Sequence, residues 1–210
     1  MEIAVGLVPV VFFLATLLIL DSYKLVALRP LIMTILMGCV VAVAAYFVNT
    51  WLIERSQLDL AFYTHNCSPV IEELFKAAFV IYLLSRKRIG FMVDAAIYGF
   101  AVGAGFAVTE NIFYFYSLSH SNLYLWLIRG LGTAMMHGAT TAIFGIVSKD
   151  LSERHTSSRF LVFLPGLLAG IIIHAVFNRF FVPAIVSTVI ILVMLPSLMV
   201  LVFSRSEKAT

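Results

Sequence analysis

Two adjacent glutamates and a lysine stand within an otherwise apolar run, from Ser68 to Leu84. A charge near the middle of a membrane-spanning helix costs roughly 2.5–3.5 kcal/mol, so three such residues indicate a function. Lys76 follows Glu72 by four residues and Glu73 by three, so either glutamate can pair with it along a helix. Because one lysine pairs well with one glutamate only, and the two glutamates point about 100° apart, they should have different roles.

Further polar residues fall within other apolar runs: Glu110, Arg129, His137 and His174, with Asn178 one turn after the last. We counted residues inward from the predicted outer ends of these runs. The first glutamate of the pair, Glu110, Arg129 and His174 then share one layer, roughly 9–11 Å below the outer boundary at ~1.5 Å per residue. His137 lies deeper. The long side chain of Arg129 favours contact with the outer surface over a role in the layer.

A carboxylate that water can reach, beside histidines and an amide, is equipped to activate water against a carbonyl group. A glutamate takes the proton of the water, and a histidine or Asn178 stabilises the oxyanion. The product is a cut peptide bond in or beside the membrane. The candidate catalytic residues are Glu72, Glu73, Glu110, His137 and His174, with Lys76 and Asn178 in supporting roles.

A metal site is the alternative reading of the same residues. Glu110, His137 and His174 supply two imidazoles and a carboxylate with an open position, the ligand set that catalytic zinc prefers. However, the chain has no His-Glu-x-x-His helix, and ligands drawn from three helices cannot be checked by spacing. The residues leave a mechanism with one divalent metal ion, such as zinc, and a metal-free mechanism both open.

The elements that position these residues are predicted to be membrane-spanning helices. The chain has 210 residues, of which 62% are hydrophobic and 12% charged, far from the composition of soluble domains. We predict an all-α, polytopic bundle of about seven transmembrane helices in one domain over 1–210, with the motif-bearing core at about 66–181. The first apolar run begins without Lys or Arg and is too long for a cleaved signal peptide. The predicted spans are 3–20, 31–53, 66–84, 91–116, 123–147, 160–181 and 184–203.

The distribution of Lys and Arg predicts the orientation of the chain. With the N-terminus outside, the inner loops and tail hold ten of these residues and the outer loops hold two, Arg55 and Arg179. The positive-inside rule therefore predicts N-out, C-in. A pI near 9.0 then reflects loop asymmetry and attraction to anionic lipid rather than binding of nucleic acid, which we do not expect.

Three further features concern packing rather than chemistry. Gly99 and Gly103 form a Gly-x-x-x-Gly face for a neighbouring helix, which predicts a central position for their span. Asp94 lies near the inner end of the same span and should have a structural role away from the outer layer. Cys39 and Cys67 differ in predicted depth by roughly 20 Å, too far for a disulfide.

Four sequence blocks follow one another between about 68 and 178. They are SPVIEELFKA with Glu-Glu-x-x-Lys, VDAAIYGFAVGAGFAVTENIFY with Phe-x-x-x-Glu-Asn, MMHGATTA with a single histidine, and HAVFN with His-x-x-x-Asn. Together they resemble the PrsW family of intramembrane proteases, distant kin of the CAAX prenyl endopeptidases. Ala95 departs from the family pattern, in which glycine commonly follows the aspartate.

The resemblance implies a multi-pass endopeptidase of the prokaryotic plasma membrane. Its partners would be the lipid bilayer and a single-pass substrate such as an anti-sigma factor, cut on the extracytoplasmic side as the first step of regulated intramembrane proteolysis. By motif position, the catalytic set looks like the five residues named above, with Lys76 as orienting partner. The CAAX enzymes have histidine at the position of Glu110 and look metal-free, whereas the PrsW family has also been classed with metallopeptidases.

Two readings from other classes remain. Intramembrane glutamates and histidines also form proton relays, so a proton-coupled transporter is an alternative. The absence of internal repeats and the clustering at one depth count against it. The third reading is a non-catalytic membrane scaffold, whose function would survive neutralisation of these residues.

Overall fold

The structure of the chain, a computed structural model, describes residues 26–117, 123–154 and 160–180 together with the isolated positions 8, 11, 12 and 15. Within these ranges all regular structure is helical and there is no strand, which confirms the all-α prediction. The elements are α1 (Leu28–Ser56), α2 (Leu60–Phe62), a π-helical segment (Tyr63–Cys67), α3 (Ser68–Ser85), α4 (Met92–Ser117), α5 (Leu123–Arg154) and α6 (Leu164–Phe180).

Two of the described helices are long and apolar enough to cross a membrane, Leu28–Ser56 and Met92–Tyr116, and Leu164–Arg179 is a shorter apolar helix. The predicted span 184–203, and 3–20 apart from its isolated positions, lie outside the described residues. The number of seven spans and the N-out, C-in orientation therefore stay predictions.

The helix α5 extends to Arg154, beyond the predicted end of its span at 147. The extension is charged, but its charges pair one turn apart along the helix. Lys149 Nζ lies 3.0 Å from Glu153 Oε1, and Arg154 Nε lies 2.9 Å from Asp150 Oδ1. Pairs at this spacing stabilise a solvated helix, so α5 continues past the predicted span as a charged extension.

A helix also occupies residues 60–67, which hydropathy assigned mainly to a loop. The Asp59 carboxylate accepts a hydrogen bond from the Phe62 N–H at 3.0 Å and so caps the start of α2. The π-helical segment follows without a break and leads into α3, where Pro69 occupies the first turn, a position that tolerates proline. The N-terminal end of α3 is thus part of one continuous helical stretch.

Glycines bring α4 into close contact with the helices on both sides. A Cβ atom at Gly103 would collide with the backbone carbonyl of His137 on α5, and one at Gly99 would lie 2.6 Å from the Thr141 carbonyl oxygen. A Cβ atom at Gly105 would collide with the backbone of α1. The predicted Gly-x-x-x-Gly face and the central position of α4 are both confirmed, and this close approach places α5 beside the polar residues of α4.

The remaining packing predictions also agree with the structure. The Asp94 carboxylate accepts hydrogen bonds from the backbone N–H groups of Gly90 and Phe91, each at 2.9 Å, and so orders the chain that enters α4. This is the structural role predicted for it. Cys39 and Cys67 are free thiols.

Candidate active site

A buried ion pair lies at the centre of the polar cluster. Lys76, completely buried, places its Nζ atom 2.5 Å from Glu73 Oε1. The same oxygen lies 2.7 Å from His174 Nδ1 and 3.5 Å from Thr140 Oγ1. Glu73 Oε1 therefore accepts from three groups on three helices. Because this carboxylate is 96% buried and neutralised by the ammonium, its role is to hold Lys76 and His174 in place.

His137 connects this ion pair to the carboxylate on α4. Its Nδ1 lies 3.0 Å from Lys76 Nζ, and its Nε2 lies 2.6 Å from Glu110 Oε2. An ammonium group can only donate, so Nδ1 accepts and the ring proton sits on Nε2, which donates to Glu110. The His137 ring is also perpendicular to that of His174, with centroids 4.9 Å apart. One chain of contacts thus joins α3, α4, α5 and α6.

Glu72 points away from the ion pair, toward α1. Its Oε1 accepts from Ser68 Oγ at 2.6 Å and from Asn49 Nδ2 at 3.4 Å. The Asn49 amide is in turn fixed by the Tyr63 hydroxyl, which donates to Oδ1 at 2.9 Å. The second oxygen, Oε2, lies 3.7 Å from His174 Nε2, too far for a hydrogen bond. One oxygen of Glu72 is therefore held, and the other faces a histidine nitrogen with room for a third group.

The polar cluster opens into a cavity of about 200 Å³. Glu72, Glu110 and His174 line it together with Thr64 of the π-helical segment and Asn178. Of the two carboxylates, Glu110 has a side chain 26% exposed and Glu72 one that is 15% exposed. Water that enters this cavity reaches both carboxylates but not the buried ion pair.

The structure brings all five predicted catalytic side chains into one cluster and places Lys76 at its centre. Lys76 pairs with Glu73, so the two glutamates do differ in their contacts, as their angular separation predicted. Asn178 lines the cavity, but its Nδ2 donates to the backbone carbonyl of Thr64 at 3.0 Å. Its amide therefore holds the π-helical segment on α6. The side chain of Arg129 lies outside the described residues.

The sequence analysis missed several residues that support the cluster. Asn49, Ser68 and Thr140 bond to it directly, and Tyr63 bonds to Asn49. Asn49 carried a readable signal, because an amide inside an apolar run needs a hydrogen-bonding partner. Asn49 and Tyr63 are 9% and 2% exposed, so solvent does not satisfy their polar groups. The Tyr63 hydroxyl donates to Asn49, and the Asn49 amide donates to α3. The hydroxyl residues carried no signal, since Ser and Thr occur in membrane helices without functional roles.

Loss of the Tyr63 hydroxyl should weaken the hold on Glu72. We expect Tyr63→Phe to lower kcat about tenfold with little change in KM, because small misplacements of a catalytic group are costly. Steady-state kinetics on a fluorogenic transmembrane substrate would measure this. Tyr82→Phe, at an exposed tyrosine of α3, is the matched control and should leave both constants unchanged. A Tyr63→Phe enzyme with wild-type kcat would show that Ser68 alone fixes Glu72.

Three residues can each offer one ligand atom to a metal ion, with these atoms within 4.8 Å of one another: Glu72, His137 and His174. The carboxylate of this set is that of Glu72, whereas the sequence analysis proposed Glu110. His174 fits such a role, because its Nδ1 is held by a carboxylate while Nε2 faces Glu72. His137 does not fit, because the Lys76 ammonium at Nδ1 keeps the proton on Nε2, the nitrogen that a metal would need. In this arrangement the three residues do not form a complete metal site.

Comparison with known protein families decides what kind of protein carries this cluster. The family model described as PrsW family intramembrane metalloprotease matches residues 27–203, most of the chain. The chain belongs to the PrsW family. No curated protein and no solved structure matches the chain.

Membership of the PrsW family makes the chain a peptidase and a membrane protein. The family match confirms the resemblance seen in the four sequence blocks, and it extends the match beyond them in both directions. It also favours hydrolysis over the transporter and scaffold readings for the cluster of glutamates and histidines. The family is one of metalloproteases, and in this chain the Lys76–His137 contact opposes binding of a metal by His137.

Proposed function

We propose that this PrsW-family chain cuts a single-pass membrane protein near the extracytoplasmic face of the cell membrane, in which it is a multi-pass protein with its N-terminus outside. The observation that carries the proposal is the pair Glu72 Oε2 and His174 Nε2, 3.7 Å apart at a polar cavity. An anti-sigma factor is the substrate class that the sequence resemblance suggests. The excess of Lys and Arg in the predicted inner loops supports an outer location of the cavity.

The attacking water binds between Glu72 and His174 in this mechanism. His174 carries its proton on Nδ1, donated to Glu73, so its Nε2 has a lone pair toward the cavity. Glu72 Oε2 and His174 Nε2 are then two acceptors that orient the two hydrogens of one water. As the water oxygen attacks the carbonyl carbon, Glu72 Oε2 takes its proton. Glu72 returns that proton to the amide nitrogen when the C–N bond breaks.

The oxyanion that forms on the carbonyl is stabilised by the Nε2–H of His137. Lys76 keeps that proton in place by donating to Nδ1 across the contact at 3.0 Å, which supports this role. Glu110 holds the same N–H before substrate binds, at 2.6 Å, and yields it to the oxyanion. The His137 donor is therefore preorganised rather than recruited during the reaction, which is the condition for strong stabilisation of a transition state.

Chelation of metal ions tests the mechanism directly. We expect dialysis against 1,10-phenanthroline to leave cleavage within about twofold of the untreated enzyme, since the proton transfers require Glu72, His174 and His137 only. The measurement is cleavage of a purified substrate in liposomes, with the zinc content of the protein recorded in parallel. Loss of activity that added Zn²⁺ restores would show that the Lys76–His137 contact breaks in the working enzyme.

A comparison of membrane proteins in cells tests the function as a whole. Cells that express the wild type are compared with cells that express Glu72→Gln at equal levels, and membrane-proximal fragments of single-pass proteins are identified by mass spectrometry. We expect a fragment that depends on wild-type protein, with its new terminus near the outer face. Identical fragment profiles under envelope stress, with both proteins inserted, would contradict the proposed function.

A further inference from the structure

A second cavity, of about 310 Å³, lies between the C-terminal halves of α1 and α4. We call it the lateral cleft. Ala42 and Tyr46 of α1 and Phe106 and Phe113 of α4 form its apolar walls. It ends at Glu72 and Glu110, the two carboxylates that also line the polar cavity, so the same catalytic groups are open to a polar side and an apolar side.

The cleft is closed differently at its two ends. In the N-terminal half of α1 and near the middle of α4, the two helices touch through their backbones, because Gly38 faces the Val102 carbonyl and Gly105 faces the backbone of Ile35. Farther along, aromatic side chains of the two helices meet. The rings of Tyr46 and Phe113 lie 4.9 Å apart, and each residue is 44% exposed. Rotation of two half-exposed side chains opens the cleft there, whereas the glycine contacts fix its closed end.

The cleft also carries hydroxyl groups along its apolar length, from Thr50 and Thr109. Asn49 and Ser68 line it too, but they are bonded to Glu72. The acyl chain of a lipid cannot form hydrogen bonds with such hydroxyl groups. A stretch of polypeptide that has lost its helical hydrogen bonds can, and it needs such partners because unpaired backbone N–H and C=O groups are costly in an apolar medium. Cleavage itself requires such a stretch, since a helix shields its peptide bonds with its own side chains.

We propose that the lateral cleft binds an unwound stretch of a single transmembrane segment, which passes between Tyr46 and Phe113 to reach Glu72. This inference rests on the proposed function and specifies how the substrate arrives. Helix-breaking residues near the outer end of the substrate segment, such as a Gly-Pro pair, then favour binding. Water then enters through the polar cavity, and the peptide enters through the lateral cleft.

Photo-crosslinking of defined peptides tests the cleft without relying on proteolysis. A photoreactive amino acid replaces Val43, which lines the cleft and is 45% exposed, or Val40, which does not line it and is 58% exposed. Both variants carry Glu72→Gln and are reconstituted in liposomes. The probes are two synthetic single-span leucine-rich peptides, one uninterrupted and one with Gly-Pro near its outer end. Because Val40 is the more exposed residue, random collision favours it over Val43.

We expect the Gly-Pro peptide to crosslink at position 43 about tenfold more than at position 40, and about tenfold more than the uninterrupted peptide does at position 43. In a background with Cys39→Ser and Cys67→Ser, a reducible tether between Tyr46→Cys and Phe113→Cys should abolish this capture, and reduction should restore it. Each single cysteine variant, treated with the same reagent, is the control.

Equal yields at the two positions, equal yields for the two peptides, or capture that survives the tether would each overturn the inference. The proposed function fails separately. If the peptide is captured at position 43 but the wild type never cuts it or any membrane protein, the cleft binds a segment that the cluster does not hydrolyse. If the wild type cuts the peptide but position 43 captures none, the substrate arrives by another route.

Discussion

Glu72→Gln should lower kcat/KM by about three orders of magnitude, which lies within the usual contribution of a general base. The amide keeps an oxygen at the Oε1 position for Ser68 and Asn49 to bind, so the side chain stays in place. What changes is Oε2, the atom that we assign to proton transfer. Because Glu72 has no part in the buried ion pair, we expect thermal unfolding and membrane insertion to match the wild type.

The matched control for this variant is Glu54→Gln, an exposed glutamate near the C-terminal end of α1. It removes the same carboxylate at a position outside the cluster and should leave kcat/KM unchanged. Initial rates on a purified single-pass substrate in liposomes would make the comparison. A Glu72→Gln enzyme with more than a tenth of the wild-type kcat/KM would exclude Glu72 as the base and move that role to His174, whose Nε2 faces the same space.

The second large effect concerns stability rather than chemistry. Removal of either partner of the Lys76–Glu73 pair, by Lys76→Met or Glu73→Gln, should lower the unfolding free energy by about 3–5 kcal/mol. Each substitution leaves the charge of the remaining partner unpaired inside the bundle, or forces that partner into its neutral form. The pair's two side chains are 0% and 4% exposed, so solvent cannot compensate. Lys149→Met, at the more exposed pair of α5, should change stability by less than about 1 kcal/mol.

A double replacement separates the two functions of this pair. Lys76→Met with Glu73→Leu removes both charges, so most of the lost unfolding free energy should return. Activity should not return, because His174 and His137 lose the groups that set their proton positions. Unfolding by denaturant in detergent micelles and cleavage in liposomes measure the two quantities. A double variant that cuts its substrate would show that the pair serves folding alone.

The shared level of three site residues could be read from the sequence because a helix rises by a fixed amount per residue. Counting placed Glu72, Glu110 and His174 together, and the structure joins them in one cluster. The rotation of each helix about its axis could not be read in this way. Whether Lys76 pairs with Glu72 or Glu73 depends on which side of α3 meets α5 and α6, and the sequence of α3 alone does not name its neighbours. The choice between the two glutamates needed tertiary contacts.

Contacts with α1 were the largest omission of the sequence analysis. Its apolar run shows no acid, base or histidine in its centre, so the search for ionisable groups passed over Asn49. The amide acts at a distance from the chemistry, by holding one oxygen of Glu72. Support of this kind comes from neutral side chains whose partners lie far away in the sequence, and no spacing rule links Asn49 to Ser68 or Tyr63.

The π-helical segment Tyr63–Cys67 sets the angular phase between two residues that meet Asn49. In an uninterrupted α-helix, nine residues turn through about 900°, so Tyr63 and Glu72 would face opposite sides. The wide turn takes up one extra residue and so removes about 100° of rotation, which brings both side chains toward α1. The number of residues between Tyr63 and Glu72 therefore matters to the site alongside the identity of Ser68, which holds Glu72 directly.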